Sequence, residues 1–117
     1  MRYWTIEEAR EYLPRLRSLL VAVQTAAPAA RAPTNGHGPV TEADLSEAVA
    51  DARSALEELQ AGDIVLRDLA SGLIDFHAQG ADGEVYLLCW LMGEDELEWW
   101  HGVDEGFPGR KRLPRDT

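Results

Sequence analysis

The chain has one cysteine in 117 residues, Cys89, so it cannot close an internal disulfide, and a lone thiol fits a reducing compartment better than a secreted scaffold. It also has no run near the ~18 apolar residues of a membrane span, and the opening Met1 to Glu8 lacks the apolar centre of a signal peptide. A cytoplasmic protein without a membrane segment is expected. Positive charge is scarce, with 11 Lys and Arg against 21 Asp and Glu for a net charge of −10, which disfavours nucleic acid and anionic lipid as partners. The strong catalytic signatures are missing too: there is no phosphate loop, no Cys-x-x-Cys, no His-Glu-x-x-His and no Gly-x-Ser-x-Gly. What remains is 45% hydrophobic and 27% charged, the composition of an ordinary globular protein, long enough for one core and read as a single domain over 1–117.

Thr5-x-x-Glu8 is a capping box, in which each side chain satisfies the other's backbone donor, and it starts a helix predicted over 5–27. Ile6, Ala9, Leu13, Leu16, Leu20, Val23 and Ala27 step by three and four along one face. Pro14 inside this pattern predicts a kink near Arg10, or an early break. Residues 28–40, with three prolines and two glycines, read as a flexible linker. Thr41 caps a second helix over 41–61, striped by Leu45, Val49, Ala52, Leu56 and Leu59, with Gly62 as a left-handed stop. Residues 63–101 then change period, giving strands around Ile64-Val65-Leu66, Leu73 to His77 and Val85 to Met92, and a plausible fourth at Leu97 to His101. Residues 102–117 read as loop and basic tail. The expected fold is α+β: an N-terminal antiparallel helical hairpin packed on a small antiparallel sheet of three or four strands.

Asp82-Gly83 between strands is a two-residue hairpin signal. That register sets Asp75 opposite Trp90 and Phe76 opposite Cys89. Ile74, Phe76, Val85, Leu87, Cys89 and Leu91 then form an apolar seat for the helices. Leu73, Asp75, His77, Tyr86, Leu88, Trp90 and Met92 form a mixed face, the better place to bind something. The same register weighs against a metal cluster of Asp75, His77, Cys89 and His101, because it sends Cys89 to the side opposite Asp75 and His77, where it is counted as core.

Gly72-Leu73-Ile74-Asp75-Phe76, then Tyr86 to Glu94, then Trp100-His101 and Gly106-Phe107-Pro108-Gly109-Arg110, together with Tyr3 to Ala9 and Leu13-Pro14, resemble a bacterial family catalogued as domain of unknown function 2203. The resemblance covers most of the chain outside the linker and implies a whole-chain architecture without an established activity. His77 departs from it, standing where the family more often has proline.

Trp99, Trp100 and His101 stand among Glu94, Asp95, Glu96, Glu98, Asp104 and Glu105, a pattern suited to a cation, a sugar or a basic peptide, although the plainer reading is one tryptophan that completes the core and a solvated acidic rim. His101 with Asp75 or Asp104 would make an acid/base pair, although a histidine beside a tryptophan is more often a structural hydrogen-bonder, and Arg110 pairs with a carboxylate such as Asp75 or takes an anion. The last eight residues carry +3, so the first 109 carry −13. The leading expectation is a non-catalytic domain that binds a protein partner or self-associates, with no cofactor and no metal. The alternative is a small-ligand or acid/base site formed by Asp75, His101, Asp104 and Arg110 on the tryptophan-bearing face. The candidate surface is Asp75, Trp90, Trp100, His101, Asp104 and Arg110.

Overall fold

The computed structural model describes the backbone of residues 1–31 and 42–114 and the side chains of 1–26 and 46–114. The capping box forms as its residues dictate: Glu8 N donates to Thr5 Oγ1 at 3.0 Å, and Thr5 N donates to the Glu8 carboxylate at 2.9 Å. Helix α1 (Ile6–Arg31) runs unbroken through Pro14 and takes Pro28 into its last turn, four residues past its expected end. The rest of the expected linker and the Thr41 cap lie outside the described residues, as do Arg115 to Thr117 of the tail. Helix α2 is Glu42–Ala61. Tyr12 and Arg15, early in α1, meet Glu58, late in α2, so the two helices are antiparallel. No helix among the described residues is long and apolar enough to cross a membrane.

Of the expected α1 stripe, Ala9, Leu13, Leu16, Leu20 and Val23 are buried and Ile6 partly so, with Leu19 and Ala26 added, whereas α2 buries Ala52, Ala55 and Leu59; Ala27 and Leu45 lie outside the described side chains. Val49 and Leu56, expected in that stripe, are 37% and 44% exposed. The turn after α2 also differs from expectation. Asp63, at φ 54°, takes the left-handed position, and Gly62 is needed for space instead, since a Cβ there would lie 3.1 Å from the Trp4 ring. Trp4 Nε1 donates to the Gly62 carbonyl at 2.8 Å, fastening the N-terminus over this corner.

Five strands follow rather than three or four: β1 (Ile64–Asp68), β2 (Leu73–Gln79), β3 (Val85–Leu91), β4 (Trp99–Gly102) and β5 (Lys111–Arg112). They lie in that order in one antiparallel sheet. The fifth comes from the stretch read as a basic tail. Lys111 pairs with Glu105 at 2.8 Å and Arg112 with Glu98 at 3.3 Å, so these cations lie against the acidic body.

The register of β2 on β3 differs by one residue from the expected one. Asp75 lies opposite Cys89, and Ile74 opposite Trp90. The cause is the loop. Gly83 N donates to the Gly80 carbonyl, and Gly80 N to the Glu84 carbonyl, both at 2.9 Å, with Gly83 left-handed at φ 83°. The connection is therefore the three-residue loop Ala81-Asp82-Gly83, in which the glycine fills the left-handed position that closes it. One extra residue moves every β3 side chain to the other face. Ile74, Phe76, Ala78, Tyr86, Leu88 and Trp90 now face the helices and form the core with Leu13, Leu16, Leu20, Ala55 and Leu59. The opposite face carries Asp75 and His77 from β2, Leu87, Cys89 and Leu91 from β3, and Trp99 and His101 from β4.

Candidate functional site

The helix-free face is roofed in part by the segment between β4 and β5, which includes a single 3-10 turn at Phe107–Gly109. Beneath it is a cavity of about 330 Å³ with Asp75, Cys89 and His101 at its floor, Arg67 at its side and Asp104 and Phe107 above. Its polar floor is well buried. Asp75 is 1% exposed and His101 2%. Ionisable groups this buried are costly unless paired, so their partners decide what the site can do.

Asp75 has two. Its Oδ2 accepts from Arg67 Nε at 2.7 Å, and its Oδ1 lies 3.0 Å from His101 Nε2. Arg67 stands at an irregularity in the β1–β2 ladder, between Leu66 and Asp68, and a bulge of this kind re-aims a side chain that regular pleating would direct elsewhere. His101 Nδ1 lies 2.8 Å from the Gly102 carbonyl. A carbonyl only accepts, so Nδ1 carries a proton and donates, and Nε2 is the nitrogen turned to Asp75. Cys89, directly opposite Asp75 in the ladder, brings its thiol into the same group; one ligand atom from each of the three side chains lies within 4.8 Å of the others. Burial, followed by the Asp75 carboxylate, pushes the Cys89 thiol up to about 12.

The six expected residues divide. Asp75, His101 and Asp104 line the cavity. Trp90 and Trp100 lie across the sheet on the helix side: Trp90 is fully buried in the core, and Trp100 packs edge-on to Tyr86 with the rings 5.8 Å apart. The expected tryptophan-bearing binding face is thus corrected, because the longer loop exchanges the two faces. The indole on Asp75's side of the sheet is Trp99. Arg110 forms an ion pair, but with Glu94 at 2.6 Å rather than with Asp75, and its guanidinium stacks over Trp99 and Phe107 at 4.9 and 4.7 Å. Glu94 in turn accepts from Leu91 N at 2.8 Å, so Arg110 ties the roof to the end of β3. His77 is structural: its Nδ1 donates to the Asp63 carbonyl at 2.7 Å.

Two members of the group escape a reading of the sequence. Arg67 looks like an ordinary strand cation until the bulge is known, and Cys89 is assigned to the core by the shorter loop. The signal that recovers Cys89 is the glycine of Asp82-Gly83, which closes a three-residue loop as well as a two-residue one.

A family model described as "Uncharacterized conserved protein (DUF2203)" matches residues 2–113. No curated protein and no solved structure matches the chain.

Proposed function

The chain belongs to the DUF2203 family, and since that membership brings no activity with it, we propose from the geometry that the protein binds a small ligand in the cavity over Asp75, Cys89 and His101. The observation that carries this reading is the pair of almost fully buried ionisable groups at the floor of a concavity. Replacing a buried charged pair by apolar residues of similar volume is often neutral or stabilising, which favours a functional reason for the polar one. Binding is a better reading than acid/base catalysis. Both nitrogens of His101 are engaged, one by Gly102 and one by Asp75, which leaves neither for a substrate proton. Cys89, a single thiol with no disulfide partner, supports a reducing, cytoplasmic setting. The test is a small-molecule screen read by backbone amide shifts. Ligands are expected to move the amides of Arg67, Asp75, Cys89 and residues 101–107. Shifts confined to the helices, or no binder at all, would end this reading.

A second reading is favoured by a separate observation. Val49 and Leu56 border an apolar groove of about 390 Å³ between α1 and α2, walled by Val23 and Ala26. A second copy of this chain is its occupant in the self-association reading, since apolar surface of this kind marks interfaces. The untagged protein should then sediment as a dimer and Leu56→Asp as a monomer; a monomeric parent protein at high concentration removes the idea.

A further inference from the structure

The polar floor of the cavity has a feature that ligand binding in general does not explain. His101 Nε2 and Asp75 Oδ1 face each other at 3.0 Å while the proton on Nδ1 is committed to Gly102. Two electron-rich atoms at that distance need a proton or a cation between them. We propose that Asp75, Cys89 and His101 form a binding site for a divalent transition-metal ion of zinc's class, with a further coordination position open to the cavity. The inference rests on the reading of the cavity as a ligand site and names what sits at its floor.

The three side chains come from three neighbouring strands: Asp75 on β2 is paired across the ladder with Cys89 on β3, and His101 on β4 is paired with Leu87, two residues from Cys89. Strands hold such a group more firmly than loops do. A four-coordinate ion with bonds of about 2.0–2.3 Å sets its ligand atoms roughly 3.3–3.5 Å apart. The Asp75–His101 separation is already close to this. The widest separation in the group is at most 4.8 Å, and with Asp75 and His101 already in place the remaining adjustment falls to the Cys89 side chain.

The surroundings fit an ion as well. A metal-binding imidazole characteristically donates its other nitrogen to a backbone carbonyl, as His101 Nδ1 does to Gly102. Arg67 holds the second Asp75 oxygen at 2.7 Å, fixing the carboxylate while leaving Oδ1 for coordination. One thiolate, one imidazole and one carboxylate form a donor set that suits zinc, cobalt or iron(II) and not magnesium or calcium, which take oxygen ligands. A dication with a thiolate and a carboxylate is neutral in sum, which lowers the cost of burial. On binding, the Sγ–metal bond forms as the Cys89 proton leaves to solvent, and any proton between Nε2 and Oδ1 leaves with it. Three protein ligands with an opening toward a cavity is the pattern of sites that keep a position for water or a ligand.

The experiment uses the full untagged chain, stripped with a chelator and titrated with cobalt(II). The expected result is saturation at one ion per chain, with a thiolate-to-cobalt charge-transfer band and the strong visible bands of a four- or five-coordinate ion. Zinc should abolish both. Cys89→Ser and Cys89→Ala should each lose the charge-transfer band while still unfolding cooperatively, and His101→Gln or Asp75→Asn should weaken binding by at least tenfold. Absence of the band at saturating cobalt, or its survival in both Cys89 variants, would overturn the proposal. The two readings fail separately. If small molecules shift the cavity amides of stripped protein and cobalt gives no band, the metal falls and the cavity stands. A cobalt band with small-molecule shifts only on the helices has the opposite meaning.

Discussion

Replacing Asp75 by alanine should destabilise the metal-free protein by about 3 kcal/mol, the low end of what breaking a buried charged pair costs. The dominant contribution is the stranded Nε2 of His101, which is only 2% exposed and loses its partner with no access to water. Arg67 matters less. Although its contact with Asp75 is the shorter, at 2.7 Å against 3.0 Å for His101, its side chain is 46% exposed and regains water once the carboxylate is gone. Double-mutant cycles separate the two. The Asp75–His101 coupling should be about 1–3 kcal/mol, whereas the Asp75–Arg67 coupling should stay below about 1 kcal/mol. With a urea slope of about 2 kcal/mol/M, the Asp75→Ala midpoint falls by about 1.5 M. Urea unfolding monitored by tryptophan fluorescence measures all the variants. Equal couplings, or a larger one for Arg67, would refute the argument that burial rather than distance ranks these contacts.

Glu58 gives a pH signature. The Arg15 guanidinium, then the Tyr12 hydroxyl, hold its carboxyl down at about 2, so its contribution is complete above the ordinary carboxylate range and is lost as pH falls toward about 2. With the side chain about one-third exposed, the contribution is discounted to about 1 kcal/mol or less, and Glu58→Gln should flatten the stability profile over that interval in urea titrations. Cys89, 1% exposed with its thiol pushed up to about 12, should react with a disulfide reagent far more slowly than an exposed thiol does in the metal-free protein. Rapid labelling of native protein under stabilising conditions would contradict its placement.

The helices are legible because their signals are local. Thr5 and Glu8 specify the start of α1 from three residues apart, and the spacing from Ala9 to Val23 identifies its buried side before any partner is known. α2 is less so, since a stripe of Val49, Ala52 and Leu56 shows amphipathicity but not which part of it α1 covers; Ala55 is inside and Leu56 is not. Asp75 and His101 are legible as unusual residues, yet their meeting depends on how β2, β3 and β4 are aligned. The β2–β3 part of that alignment goes with the loop closed by Gly83 N on the Gly80 carbonyl and Gly80 N on the Glu84 carbonyl, and Asp82-Gly83 is compatible with both loop lengths. Arg67 and β5 are hidden for a related reason. A bulge and a two-residue edge strand are set by tertiary pairing and leave no periodic trace.

The loop that joins β2 to β3 also couples the core to the cavity. Because successive strand residues point to opposite sides, a slip of the ladder by one residue, as in the alternative two-residue turn at Asp82-Gly83, would turn Trp90 out of the core and withdraw Cys89 from Asp75 in the same event. The apolar core and the polar floor therefore share one register, and a slip of β3 on β2 cannot cost the protein one without the other.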